Sequence, residues 1–107
     1  MVNKVYGLLG ISAKAGKIIA GMDIVLENLA KKKVKLVIVA EDASEKTIKN
    51  IKYYCEKENV ELLIFGNISE NSKSIGKHNK AIIGILDKNL ADSVQKVIHG
   101  GEEFGEN

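Results

Sequence analysis

Apolar positions along this chain fall into two alternating kinds of segment. Residues 36–40 (LVIVA), 62–65 (LLIF) and 81–86 (AIIGIL) are short, continuous and rich in β-branched side chains. Such runs fit strands buried on both faces, which requires helices on both sides of a sheet. Between them the apolar residues recur at helical spacing. Val5, Leu8 and Leu9 share one face behind Asn3, a candidate N-cap. Met22, Val25, Leu26 and Leu29 mark a second helix, closed by lysines 31–33 where cations suit the negative helix end. Ser44 opens a third helix with Ile48, Ile51 and Cys55 inward, and Asp87 caps a last one with Leu90, Ala91, Val94 and Ile98 inward. A helical turn is expected near 70–75 before Gly76, and a small strand near 18–20. The pattern predicts an α/β fold, a three-layer α/β/α sandwich.

The length of 107 residues allows one domain, set here at residues 1–99, with the GGEEFGEN segment at 100–107 as a flexible acidic tail. No internal repeat or linker interrupts the domain, and proline is absent. No apolar run approaches the length of a membrane span, and MVNKVYGLLG lacks a signal-peptide pattern. A cytoplasmic protein with no membrane partner is therefore expected. Cys55 is the single cysteine, and with two separated histidines it forms no zinc-ligand spacing, so no metal and no cofactor is expected.

Charge is unevenly distributed along the chain. The formal net charge is only +2, but residues 1–40 carry seven lysines against Asp23 and Glu27, a local +5. Residues 41–70 sum to −3, residues 71–99 to +3 and the tail to −3. The two basic segments make a one-sided positive surface if they meet in space; lysines that merely solvate helix faces are the alternative. Every basic residue other than histidine is lysine, so bidentate arginine readout of guanine is excluded.

Candidate chemistry is sparse. Cys55 lies on an inward helical stripe, where a small core hydrophobe is the simpler role than a nucleophile. Glu41 and Asp42 follow a strand, a place for catalytic carboxylates but equally for a loop-fixing or capping role. The glycines of KAGKIIAG have neither Walker nor GxGxxG spacing. No catalytic residue is assigned, and an enzyme is not expected. Segment 13–23, AKAGKIIAGMD, is the one that points to binding. Lys14 and Lys17 flank a glycine, and Gly21 opens a helix whose free N–H groups attract phosphate. Read alone, Gly21 is as well explained as an N-cap or turn residue.

The run KLVIVAED (35–42), the helix ending CEKENV (55–60) and IGK (75–77) before a strand resemble the L7Ae/L30e superfamily of kink-turn-binding ribosomal proteins. The opening LLGISAKAGKIIAG (8–21) is most similar to its bacterial YlxQ-type members, and the resemblance spans residues 3 to 98. It implies an L30e-like sandwich around a mixed four-stranded sheet. It also implies RNA binding at two loops, one reading tandem sheared G·A pairs and one covering an extruded nucleotide. Carried residue by residue, the first loop falls on Gly21, Met22, Asp23, Ile24 and Glu27. The second falls on Ser74, Ile75, Gly76 and Lys77, with Glu41 and Asp42 adjacent; Lys14 and Lys17 join as phosphate contacts. Where strong binders of the family read Gly-Thr-Asn-Glu and then a lysine, this chain reads Gly21-Met22-Asp23-Ile24 and then Glu27. Its second loop has Asn71-Ser72 in place of Leu-Gly.

The resemblance implies a non-enzymatic, monomeric RNA-binding protein. Its expected partner is structured, kink-turn-like RNA such as ribosomal RNA or a riboswitch, with the ribosome or transcription and translation factors beside it. The rival function is a protein-interaction module on the same scaffold, favoured by Asp23 and Glu27. Lys14, Lys17, Lys73, Lys77 and Lys80 favour RNA.

Overall fold

The computed structural model describes the backbone of residues 2–105 and the side chains of residues 4–100. Helix and strand alternate along them: α1 (Val2–Lys14), β1 (Ile18–Ala20), α2 (Met22–Ala30), β2 (Leu36–Val39), α3 (Glu45–Lys57), β3 (Leu62–Ile64), α4 (Ile68–Ser74), β4 (Ile82–Ile85) and α5 (Lys88–Gly105). The strands form one sheet in the order β1-β4-β2-β3. β4 runs antiparallel to both neighbours, and β2 runs parallel to β3, so the sheet is mixed, as the resemblance implied.

The continuous apolar runs are explained by two cores, one on each face. In β2, Leu36 and Ile38 join Val5 and Leu9 of α1 and Ala91, Val94 and Val97 of α5. Val37 and Val39 point the other way, to Val25 and Leu29 of α2 and Ile51 and Cys55 of α3. All four β2 side chains are fully buried, each worth roughly 1.5–3 kcal/mol against exposure. Gly84 in β4 makes room for the second layer. A Cβ there would lie 3.1 Å from Cγ1 of Ile19 and 3.4 Å from Cγ2 of Val25, so α2 could not settle as closely on the sheet.

The caps read from sequence hold at two of three helices. The Ser44 hydroxyl accepts from the Thr47 N–H at 3.1 Å, and the Asp87 carboxylate accepts from the Leu90 N–H at 2.9 Å. Asn3 lies inside the first turn of α1, which begins one residue earlier, at Val2. Two further expectations are corrected. Residues 62–65 are not buried on both faces. β3 is an edge strand with Ile64 46% exposed, and Phe65 falls beyond it, edge-on to Tyr6 at 5.6 Å. The helical turn near 70–75 is a seven-residue helix starting at Ile68, because the Asn67 carboxamide oxygen accepts from the Glu70 N–H at 2.8 Å and caps it. The backbone of α5 continues to Gly105, past the residue where the sequence places the tail. Residues 106–107 lie outside the described residues.

Strand directions sort the loops. The C-terminal ends of β1, β2 and β3 and the N-terminal end of β4 lie at one end of the sheet. Gly21, residues 40–44, residues 65–67 and residues 76–81 are therefore gathered there.

Candidate nucleic-acid interface

Gly21 is the N-cap of α2 with φ 111° and ψ 151°, a region open in practice to glycine alone. Its N–H donates to the Ile82 carbonyl at 2.9 Å, which ties the start of α2 to the start of β4. Its own carbonyl accepts from Val25 N–H at 3.2 Å, so the N–H groups of Met22, Asp23 and Ile24 have no intrahelical partner. Glycine brings no capping side chain, and these donors together with the positive helix end suit an anion.

The loop before β4 supplies a cation to that end. A Cβ on Gly21 would lie 3.9 Å from Nζ of Lys80. Lys80 is held in place by the buried Ser72 hydroxyl, which accepts from its N–H at 2.7 Å and donates to its carbonyl at 3.2 Å. Lys80 thus bridges the two loops, a role that its sequence position did not reveal. The sequence marked it only as one of the lysines that favour RNA.

On the other side of this loop lies a cleft of about 750 Å³, walled by Ile68, Ser69, Ser72, Lys73, Gly76, Lys77, His78, Asn79 and Asp42. Gly76 and Lys77 are exposed, as the two-loop reading expects. Ile75 is not: it is 7% exposed and packed in the α1–α5 core, because α4 turns its last residues toward α1. It cannot cover a nucleotide from there, and Ile68 is the aliphatic side chain that faces the cleft instead. Ser74 is half-buried and donates its hydroxyl to the Asn71 carbonyl at 2.7 Å.

Asn71 and Ser72 are structural. The buried Asn71 carboxamide accepts from the Tyr6 hydroxyl at 2.9 Å and donates to the Phe65 carbonyl at 2.8 Å. Gly66 (φ 67°) must remain glycine, since a Cβ there would strike the Asn71 carboxamide and the Tyr6 hydroxyl. Burial pushes the Tyr6 hydroxyl pKa up, with Glu70 and Glu41 adding to it, which keeps this donor protonated.

The carboxylates divide. Asp42 accepts from the Ile68 N–H at 2.9 Å and so caps α4, the loop-fixing role, while Glu41 is exposed and its N–H donates to the Gly66 carbonyl at 2.8 Å. Asp23 is exposed in the first turn of α2. Ile24 is 42% exposed, and Met22 is half-buried against the α2–α3 core. Glu27, also exposed, pairs with Lys31 at 3.1 Å rather than facing the helix start.

Lys14 and Lys17 do not join this cluster. β1 carries the chain from Lys17 to Gly21 through about 13 Å at ~3.3 Å per residue, and the Lys17 carbonyl accepts from Leu86 N–H at the far end of β4. They stand at the opposite end of the sheet. Gly21 itself is half-buried rather than exposed.

Among the described residues no group of three or more His, Cys, Asp or Glu side chains is placed to hold a metal ion, and no helix is long and apolar enough to cross a membrane.

The family model of the ribosomal protein L7Ae/L30e/S12e/Gadd45 family matches residues 3–95. A protein of Enterococcus faecium named RNA-binding protein YlxQ is 33% identical over 97 residues, covering 91% of this chain and 93% of that protein. Its namesake in Bacillus subtilis (strain 168) is 28% identical over 89 residues, 83% of this chain and 89% of that protein. A solved structure of a Bacillus halodurans protein of unknown function superposes with TM-score 0.87 at 28% identity, over 90% of this chain and 97% of that one. The Giardia lamblia 15.5kD RNA binding protein has the same fold, with TM-score 0.75 at 20% identity, over 95% of this chain and 88% of that one.

Proposed function

The chain belongs to the ribosomal protein L7Ae/L30e/S12e/Gadd45 family, and on that premise we propose that it is an RNA-binding protein, without catalytic function, that stabilises a kinked RNA. The observation that carries the reading is the juxtaposition of three free α2 N–H groups with the Lys80 ammonium at a glycine-only backbone position. A phosphate at the bend is held there, and Asp23 faces the neighbouring base edges. The nucleotide extruded by the bend enters the cleft beside Ile68, with Lys73 and Lys77 on its phosphates. Binding selects the kinked form from a flexible RNA, as any ligand shifts a two-state equilibrium. Ribosomal RNA and riboswitches are the partner classes this reading names, with the cytoplasm as its compartment. The relatives named as RNA-binding proteins support it.

A gel shift tests it with two RNAs, a kink-turn duplex and the same duplex with the bulged nucleotides removed, at low and moderate salt. The bent RNA should be retarded at lower protein concentration. Equal retardation would contradict selection of the bend. Retardation of neither would leave the second reading, a protein-docking module, which the exposed carboxylates of Asp23 and Glu27 favour.

A further inference from the structure

At the end of the sheet opposite the candidate interface stand four lysines from two short segments of the chain, residues 14–17 and 33–35. Lys17 and Lys35 enter the sheet on either side of β4. The Lys17 carbonyl accepts from the Leu86 N–H at 2.9 Å, and the Lys35 N–H donates to the Ile85 carbonyl at 2.7 Å. Two strand spacings, about 10 Å, separate them. Lys14 ends α1, and Lys33 follows α2, donating its N–H to the Asn28 carbonyl at 2.9 Å. Both sit at negative helix ends, which favour a cation. All four side chains are exposed, and no ion pair among the described residues involves them.

The acids at this end are mostly engaged or displaced. Glu58 pairs with Lys32 at 2.7 Å, Asp92 pairs with Lys88 at 3.3 Å, and Asp87 accepts from the Leu90 N–H. Glu56 and Glu61 stand together at the β3 edge, on the far side of the sheet from β1. What remains near β1 and β4 is a surplus of positive charge. The candidate interface has no such surplus, since Asp23, Glu41 and Asp42 stand there beside its lysines.

We infer that this end of the sheet is a second contact for the RNA, taking the phosphate backbone of an arm beyond the bend without regard to sequence. The inference rests on the RNA-binding reading above. Lysine offers rotatable donors on a flexible stem and no planar fork, so the group distinguishes charge rather than base edges. A uniform polyanion suits it better than a protein surface of mixed charge. The protein measures 38 Å along its longest axis, and an RNA arm longer than this reaches both ends. The second contact then forms at high effective concentration and adds avidity to the first.

The test uses the full chain and a variant carrying Lys14→Ala, Lys17→Ala, Lys33→Ala and Lys35→Ala. Its probes are a short-armed kink-turn, a long-armed one, and a straight duplex of the long length. The variant should bind the long-armed RNA at least tenfold more weakly, with a salt slope shallower by up to about 3.6, at ~0.9 for each phosphate no longer neutralised. Its affinity for the short-armed RNA should change less than about twofold. An all-arginine version of the four positions should restore the long-armed affinity, which separates charge from folding. Unchanged long-armed affinity and slope in the alanine variant would overturn the inference, and would assign the lysines to an acidic protein or to solvation. The straight duplex keeps the two claims apart. If wild type binds it as tightly as the bent RNA, selection of the bend fails, while lysine-dependent loss on that duplex still supports the second contact.

Discussion

The ammonium of Lys80 lies 3.9 Å from where a Cβ on Gly21 would stand, so a side chain at residue 21 meets both a strained backbone and a charge. Gly21→Ala should therefore weaken RNA binding and also lower stability, by about 1–3 kcal/mol for the forbidden φ. Lys80→Ala should weaken binding alone, since the Ser72 clasp uses only Lys80 backbone atoms. Titration calorimetry together with thermal unfolding separates the two effects. Asp23 and Glu27 depart from the family's strong binders toward acceptor-only, negative groups. The double change Asp23→Asn, Glu27→Lys should tighten kink-turn binding by about 1–3 kcal/mol, the worth of recovered base-edge bonds, read by the same calorimetry. It exchanges the Glu27–Lys31 pair for a repulsion at a cost of about 0.4–1 kcal/mol, the lost attraction and the new repulsion together.

Cys55 illustrates a residue whose sequence position alone decided its role. Burial, helped by Glu56, pushes its thiol pKa up to about 12. The folded protein keeps the thiol protonated, while the unfolded chain ionises it near the ordinary thiol value of 9.0. The stability it contributes is complete below about pH 9 and declines toward pH 12, by about 1.4 kcal/mol per pH unit in that window. At pH 8 a thiol reagent should label the native protein far more slowly than the urea-unfolded chain. Equal rates would place Cys55 at the surface.

Among the elements, α4 is tied to its neighbours on two sides by one buried side chain. Asn71 joins α4 to α1 through Tyr6 and to the end of β3 through the Phe65 carbonyl. Asn71→Ala leaves two half-buried partners without their bonds and should cost about 1–3 kcal/mol in urea unfolding, at ~0.5–1.5 for each bond removed. A cost under about 1 kcal/mol would mean that water replaces the carboxamide. The sequence pattern carried β2, β4 and four of the five helices, because their apolar residues repeat at the strand or helix period and Ser44 and Asp87 are strong caps. It placed α4 only as a turn near 70–75, because the buried side chains Asn71 and Ser72 are polar and leave no apolar stripe. The Asn67-to-Glu70 spacing was the readable signal there. It also misjudged Ile75, since a lone isoleucine before a glycine reads equally as surface anchor or core plug.

At the scale of the molecule, the site was half legible for a topological reason. Gly21 and Gly76 stand at one end of the sheet, with Lys80 beside Gly21. Lys14 and Lys17, close to Gly21 in sequence, are set at the opposite end by three residues of β1. Proximity along the chain misled because a strand separates what a loop would join. On the proposed reading, kinked RNA docks on the end of the sheet formed by the start of α2 and the loop before β4. Amide chemical-shift mapping by NMR during titration with a short-armed kink-turn tests it most directly. The largest changes should fall at Met22, Asp23, Ile24, Glu41 and residues 76–80, with little change at Lys17 and Lys35. Changes centred on the lysine end, or none at saturating RNA, would contradict it.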